Sequence, residues 1–474
     1  MGEKDISSTK RNLILLAIGL FTFMSTLDSS IVNIALPTIS KSLGIMMNQA
    51  TWTVSIYLIG VSALLIFFGR LGDLVGKIRI FKYGTIIFTI GSFLCGLNLG
   101  LNFLLFARFF QSVGAAMTMS NSFGITTSTF PPHQRARAMS MVGVFVALGG
   151  VTGPGLGGLL LQFLPWSFIF WVNVPIGILA ILLGQKLFPK EEKKVIRKGH
   201  LDLLGTFSFF LFITSLFLGI EVGQNAGFLT RIPLLLFGIA LLIFLFFLRL
   251  ENRLKHPMIH LGLFRNSLFT VSVTSAMLIF VTNFFANILM PFYLQDLLKL
   301  EPGEAGMLLM TFPIVMMIFG PVGGYLGDHF NKEILTVIGI IIVTVAQFGY
   351  TNFSSKTTIL SILSCTVVNA IGTSLFQSPN NALVMQSVDK QYLGVAGSVN
   401  ALARNLGMII GISAATTTLY TVMSSDLGKR VTSFSPGQEG AFVNGMHIAF
   451  YVSFALSILT LCMTLLRFLL NKSK

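Results

Sequence analysis

Charge is what this chain has least of: only 10% of its 474 residues are Asp, Glu, Lys or Arg, where a water-soluble domain carries about 25%. So few solvated groups could not coat a globule of this size, which excludes a soluble enzyme. Cysteine is nearly missing as well. Cys95, Cys365 and Cys462 all lie inside apolar runs, without CxxC or CxxH spacing, so neither a disulfide framework nor a zinc site is indicated. Polar low-complexity tracts are absent and 54% of the residues are hydrophobic, which rules out a disordered chain. Acids are scarcer than bases, 17 against 32, for a formal charge of +15. The bases sit in short gaps between apolar runs rather than on one face, which argues for membrane orientation and against nucleic acid as a partner. What is present in excess is apolar: the mean hydropathy is +0.82, with 45 Phe and 46 Gly.

A transmembrane helix needs about 20 apolar residues. By that measure fourteen spans begin near Asn12, Thr51, Tyr83, Asn102, Ala138, Ser167, Asp202, Ile232, Ser267, Ala305, Leu335, Thr357, Gly394 and Gly445. The fold expected is therefore an all-α integral membrane protein. An even number of crossings puts both termini on one side. About 24 basic residues fall on that side and about 6 on the other (Lys41, Arg231, Lys299, Lys356, Lys429 and Arg430), so both termini are expected in the cytoplasm. Arg108 and Arg404 alone are counted within spans. The first apolar run is too long, and too polar around Asp28, for a cleaved signal peptide.

An internal repeat organises the chain. Asn33-Ile-Ala-Leu-Pro37 recurs as Asn287-Ile-Leu-Met-Pro291, and Gly69-Arg-Leu-Gly-Asp73 recurs as Gly324-Tyr-Leu-Gly-Asp328, at offsets of 254 and 255. Two matches at nearly one offset imply two similar six-helix halves, residues 1–188 and 258–474, with a two-helix insert at 189–257. Basic runs, Lys186 to Lys198 and Arg249 to Arg265, frame the insert. Two bundles about a pseudo-twofold axis are the architecture of a carrier that rocks around a central site.

The same residues resemble the major facilitator superfamily, and within it the fourteen-spanner drug:proton antiporters. The run from Leu27 to Pro37 (LDSSIVNIALP) resembles the helix 1 signature LDxTIVNxALP, with Ser30 for Thr. Gly69 to Lys77 resembles the loop motif GxLaDrxGrk, with Leu74 and Ile78 where bases are usual. Leu104 to Gly114 is similar to the helix 4 motif lxxxRxxqGxG, with Ser112 for its first Gly. Gly149 to Gly158 matches the helix 5 motif gxxxGPxxGG at every fixed position, and the runs Gln377 to Asn381 and Ala403 to Gly407 also look like this subgroup. The resemblance implies the major facilitator fold, two six-helix bundles plus two inserted helices, and proton-driven export of lipophilic, commonly cationic, drugs. It implies a bacterial cell membrane, no cofactor beyond the proton gradient, and protons and small lipophilic solutes as partners beside the lipid bilayer; a monomer is expected.

Asp28 is the foremost candidate for chemistry, because it alone among the acids lies well inside a span. An intramembrane carboxylate is expensive, and burial favours its protonated form, so it could exchange a proton for a cation. The plainer alternative is an Asp satisfied by hydroxyls such as Thr22, Ser25 or Ser29. Arg108 lies at a comparable depth on helix 4 and is expected to hold Asp28 ionised in one state; alternatively it snorkels to the headgroups. Glu221 is the next possible acid, or it is simply hydrated. Asn33, Asn283, Asn287, Asn369, Thr373, Gln377, Asn380, Asn400 and Arg404 form polar stripes that face either a cavity or a partner helix, with the cavity slightly favoured.

Gly149, Gly153 and Gly157 recur every fourth residue and, with Pro154, mark a hinge, a sealing face or plain close packing. A phosphate loop is excluded, since it must join a strand to a soluble helix. By resemblance Asp73 helps lock an inner gate with Lys77, Arg135 or Arg137, and Asp328 is its repeat partner. A carrier of one dedicated solute, such as a lipid precursor, antibiotic or metabolite, is the runner-up, and a receptor or scaffold the other class. A membrane enzyme is disfavoured, because no His, Cys or acid cluster shares a depth.

Overall fold

In a bilayer every backbone N–H and C=O must be satisfied within the chain, and the apolar runs meet that demand as helices. The computed structural model describes residues 8–130, 132–189, 202–228, 230–254, 261–389, 393–431, 434 and 437–472, except for some side chains within them. The first half comprises α1 (Ser8–Leu43), α2 (Met47–Val75), α3 (Lys77–Cys95), α4 (Leu101–Thr129), α5 (Pro132–Phe163), α6 (Phe168–Trp171) and α7 (Asn173–Leu187). Next come α8 (Leu203–Ala226) and α9 (Arg231–Glu251). The second half comprises α10 (Ser267–Phe292), α11 (Pro302–Leu309), α12 (Thr311–His329), α13 (Lys332–Tyr350), α14 (Ile359–Gln386), α15 (Leu393–Asp426) and α16 (Glu439–Lys472). With α6 and α7 in line, and α11 and α12 in line, these make fourteen rods. Eleven helical stretches among the described residues are long and apolar enough to cross a membrane. α4, α5 and α8 are the rods outside that number. α4 is diluted by the polar residues of the site described below, and the apolar part of α8 shortens to Leu204–Ile220.

Side-chain caps and glycines set the breaks. Asn266, Asn331 and Thr358 accept backbone N–H groups at the starts of α10, α13 and α14. Gly76, at φ 123°, turns α2 into α3, a backbone region open to glycine.

The two halves repeat one set of neighbours. α1 packs on α5 as α10 packs on α15, α3 on α4 as α13 on α14, and α3 on α7 as α13 on α16. Glycine permits the close approaches. A Cβ on Gly149, Gly153 or Gly157 would run into Phe23, Ser30 or Ile31 of α1, and one on Gly407 or Gly411 into Met277 or Val281 of α10. α5 stays helical through Pro154, and its second bare face, Gly155 and Gly158, meets Met310 and Pro302 of the other half. Gly153→Val is expected to overpack the α1–α5 seam and lower stability by about 1–3 kcal/mol. Thermal unfolding in detergent, beside Gly262→Val where a Cβ meets nothing within 4 Å, checks it.

α8 and α9 clasp each other through Phe212 and Phe244, with ring centroids 4.7 Å apart, and touch the first half through Phe210 on Phe109 at 6.2 Å. Leu234, Leu235, Leu241, Leu242 and Leu245 of α9 are exposed, as lipid-facing residues would be.

Candidate functional site

Asp28 sits near the middle of α1 with 0% of its surface exposed. Its Oδ2 accepts a hydrogen bond from Arg108 Nη1 at 2.6 Å, an ion pair with both side chains fully buried. Its Oδ1 accepts from Gln111 Nε2 at 2.9 Å and from Asn173 Nδ2 at 2.8 Å. Arg108 and Gln111 are three residues apart on α4, so one helix face delivers both. Arg108 Nε donates to the Thr53 carbonyl of α2 at 2.8 Å, and Nη1 also donates to Gln111 Oε1 at 2.6 Å. The guanidinium lies 4.4 Å from the Tyr57 ring centroid and 5.4 Å from that of Phe170. Gln111 Nε2 reaches Ser92 Oγ of α3 at 2.7 Å. Residues of five rods thus gather around one carboxylate. The hydroxyls weighed as its partners are engaged elsewhere: Thr22 donates to the Ile18 carbonyl and Ser29 to that of Ser25. Ser25 lies 3.4 Å from the Tyr57 hydroxyl. Gln111, Asn173, Ser92 and Tyr57 went unrecognised as site residues in the sequence. Asn173 had a signal, as an amide isolated in an apolar run.

The second half builds the same node without charge. Asn283 lies 255 positions after Asp28, and Gln347 lies 255 after Ser92. Asn369 Nδ2 donates to Asn283 Oδ1 at 3.1 Å, and Asn283 Nδ2 to Thr373 Oγ1 at 3.2 Å. Gln347 Nε2 reaches Asn369 Oδ1 at 3.5 Å. Ser453 of α16, in the place of Asn173, donates to Gln347 Oε1 at 2.8 Å and to the Thr282 carbonyl at 3.2 Å.

The halves meet where the repeat matches itself. Asn33 Nδ2 donates to Asn287 Oδ1, and these residues are 254 positions apart, the repeat offset. A pair of equivalent residues in mutual contact lies on the pseudo-twofold axis. Asn287 is exposed while Ala286 and Ile288 beside it are buried, so it borders the space between the halves. Further contacts between halves lie toward the end opposite the chain termini. Gln295 donates to the Ile34 carbonyl at 3.1 Å, and Lys41 Nζ pairs with Asp296 at 2.6 Å. Gln295 and Asp296 lie in a π-helical turn, Tyr293–Leu297, that continues α10. Asp296→Asn is expected to loosen this latch. With the Lys41 side chain 67% exposed, the pair is worth about 1 kcal/mol, or roughly a fivefold change in population. Distances between spin labels at Leu43 and Leu300 read it: the variant should populate longer separations, and an unchanged distribution would show that the pair holds nothing.

Several expectations are corrected. Asn369 and Asn380 do not line a cavity: each is 1% exposed and bonded to a partner helix. Asn380 Nδ2 donates to the Ser272 carbonyl at 2.9 Å and its Oδ1 accepts from Arg467 at 3.1 Å. Arg467, assigned by sequence to a loop, is 3% exposed within α16 and also donates to Ser272 Oγ at 2.9 Å and Thr336 Oγ1 at 2.5 Å. An arginine one turn from a basic terminus reads as a flank in sequence, which is why the count missed it. Gln377 is half-buried. Arg404 lies over Phe280, 5.8 Å from its ring centroid. Lys77 lays its stem against Gly124 of α4. The side chains of Asp73, Arg135, Arg137, Glu221 and Asp328 lie outside the described residues.

The arrangement holds one acid and its guanidinium partner away from water, midway along a two-halved bundle. Known proteins resemble the chain along most of its length. A riboflavin transporter of Clostridioides difficile, RibZ, is 37% identical over 401 residues, covering 84% of this chain and 86% of that one. The multidrug export protein EmrB of Escherichia coli K12 is 26% identical, with 93% and 87% covered. Multidrug resistance protein 3 of Bacillus subtilis is 27% identical, with 93% and 84% covered. Among solved structures, a bacterial homologue of the human lysosomal transporter Spinster, in an inward-facing and unoccupied conformation, superposes with a TM-score of 0.67 at 16% identity over 97% of both chains. The sequence profile of the Major Facilitator Superfamily matches residues 18–412, and the chain belongs to that family: it is a multi-pass membrane transporter and not an enzyme.

Proposed function

We propose that the chain is a proton-coupled antiporter of organic solutes, with Asp28 as the group that takes and releases the proton. One observation carries this: the buried Asp28–Arg108 pair, closed by Gln111 and Asn173. A proton on Asp28 would cancel the charge that holds Arg108, leaving the guanidinium to Thr53 and Gln111 and freeing α1 to move against α4. Among the described residues Glu251 and Asp296 are the other buried acids, both at helix ends, and the matching node of the second half is neutral. One proton per cycle is accordingly proposed. In this reading all fourteen rods cross the membrane and both termini are cytoplasmic.

Two cargo classes fit the relatives. The riboflavin transporter supports a carrier of one dedicated polar heterocycle, and the drug exporters support lipophilic cations. The structure favours the first. Asp28 is sealed and fully partnered, and among the described residues no other carboxylate lies between the halves at mid-depth to receive a cationic drug. The classes differ in energetics. Exchanging one proton for a neutral solute moves a charge worth roughly 2.3 kcal/mol per 100 mV, whereas exchange for a monovalent cation moves none. In proteoliposomes an imposed pH gradient should drive uptake of cargo with counterflow of protons. Riboflavin flux should also respond to an imposed potential and dye flux should not. Flux of both cargoes indifferent to the pH gradient would remove the coupling claim.

A further inference from the structure

α15 carries two polar atoms that no hydrogen bond satisfies, Asn400 Oδ1 and Arg404 Nε. They are four residues apart and so share one helix face. The Asn400 amide nitrogen donates to Asn381 Oδ1 at 2.9 Å, which orients the side chain and leaves its oxygen a bare acceptor. Arg404 forms no ion pair among the described residues. Its guanidinium instead lies over the Phe280 ring of α10, within cation–π range. The other two interior arginines are provided for: Arg108 has Asp28, and Arg467 has three side-chain oxygens. Arg404 stands roughly 17 Å along α15 at 1.5 Å per residue, where an uncompensated cation is costly and points to function.

The surrounding wall gives this face an outlook. In the latter part of α10, Phe280, Asn283, Phe284 and Asn287 are the residues not fully buried, at helical spacing, while Ile279, Val281, Thr282, Phe285 and Ala286 are buried. Asn287 meets Asn33 of the first half, so the stripe borders the space between the halves. Asn33 Oδ1 is a third buried atom without a partner. Phe280 and the amides of that stripe therefore run along one wall toward the interface, Arg404 lies over Phe280, and Asn400 Oδ1, buried one helical turn before Arg404 on α15, holds an acceptor unsatisfied behind that wall.

We propose that Phe280, Asn400 and Arg404 form the cargo-recognition wall, and that it selects planar aromatic heterocycles with a carbonyl-rich imide edge over lipophilic cations. This rests on the transport reading above for calling the ligand cargo, but not on Asp28 as the proton carrier. An imide edge alternates acceptor and donor. Its carbonyl would accept from the guanidinium, its N–H would donate to Asn400 Oδ1, and the fused rings would lie along Phe280. A lipophilic cation meets Arg404 as a like charge, with no described carboxylate beside it.

Equilibrium binding to the purified full chain tests the wall without transport. The probe is lumichrome, a neutral fluorescent tricyclic imide. The comparators are its N3-methyl derivative, which lacks the imide donor, and tetraphenylphosphonium. Wild type should bind lumichrome, bind the methylated form about tenfold more weakly, and not exchange lumichrome for tetraphenylphosphonium. Arg404→Gln should weaken lumichrome about tenfold or more, Arg404→Lys should recover part of that loss, and Asn400→Ala should erase the preference for the unmethylated probe. Loss of gradient-driven flux in Asp28→Asn bears on the coupling reading alone and leaves this assignment standing. No lumichrome binding by folded wild type, equal binding by Arg404→Gln, or tighter tetraphenylphosphonium binding by wild type would overturn it.

Discussion

Asp28→Asn is expected to abolish proton-coupled flux, with a loss of at least about 100-fold and no remaining dependence on the pH gradient. Asparagine keeps the shape of a protonated Asp28 and can still accept from Gln111 and Asn173. It cannot release a proton, and it never restores the charge that recaptures Arg108. The variant is thus fixed in the neutral half of the proposed cycle. Counterflow exchange of labelled for unlabelled cargo, which needs no net proton movement, should survive while uphill transport fails. Retained uphill transport at the wild-type rate would show that the proton travels elsewhere.

The second large effect concerns Arg108. Removing one member of a buried pair leaves the other uncompensated, at a cost of about 3–5 kcal/mol, whereas replacing both by apolar groups of similar size is often neutral or stabilising. Arg108→Leu should therefore lower the unfolding midpoint sharply. It strands Asp28 and removes a donor from the Thr53 carbonyl and from Gln111 Oε1. The double change Asp28→Leu with Arg108→Leu should regain most of the stability and none of the coupling. Thermal unfolding of wild type, Arg108→Leu and the double variant in one detergent, beside gradient-driven flux, separates the two quantities. A double variant as unstable as the single would mean that the loss came from packing against Tyr57 and Phe170 rather than from charge.

Much of the plan was legible in sequence because it is written in periodic signals. Apolar runs of bilayer length marked the rods, and one offset linked Asn33 with Asn287 before any contact between them was visible. Asp28 stood out because a carboxylate inside an apolar run violates the pattern around it. What escaped depends on partners that pattern does not carry. Nothing in the spacing says that Asn369 turns to Asn283 and Gln347, or that Asn380 serves Arg467, since an amide on an apolar helix suits a cavity and a neighbouring helix equally well. The Lys41–Asp296 pair joins residues more than half the chain apart, one on the exposed rim and one in a π-helical turn. Charge counting saw only the lysine.

The complete enclosure of Asp28 bears on fidelity. A carboxylate reachable from both compartments at once would short-circuit the membrane, passing hydrogen ions downhill with no freight attached. For Asp28 as the proton carrier proposed above, with none of its surface exposed, reloading would await the tilting of the bundle, so slippage would be limited by the rate of tilting and not by the chemistry of ionisation.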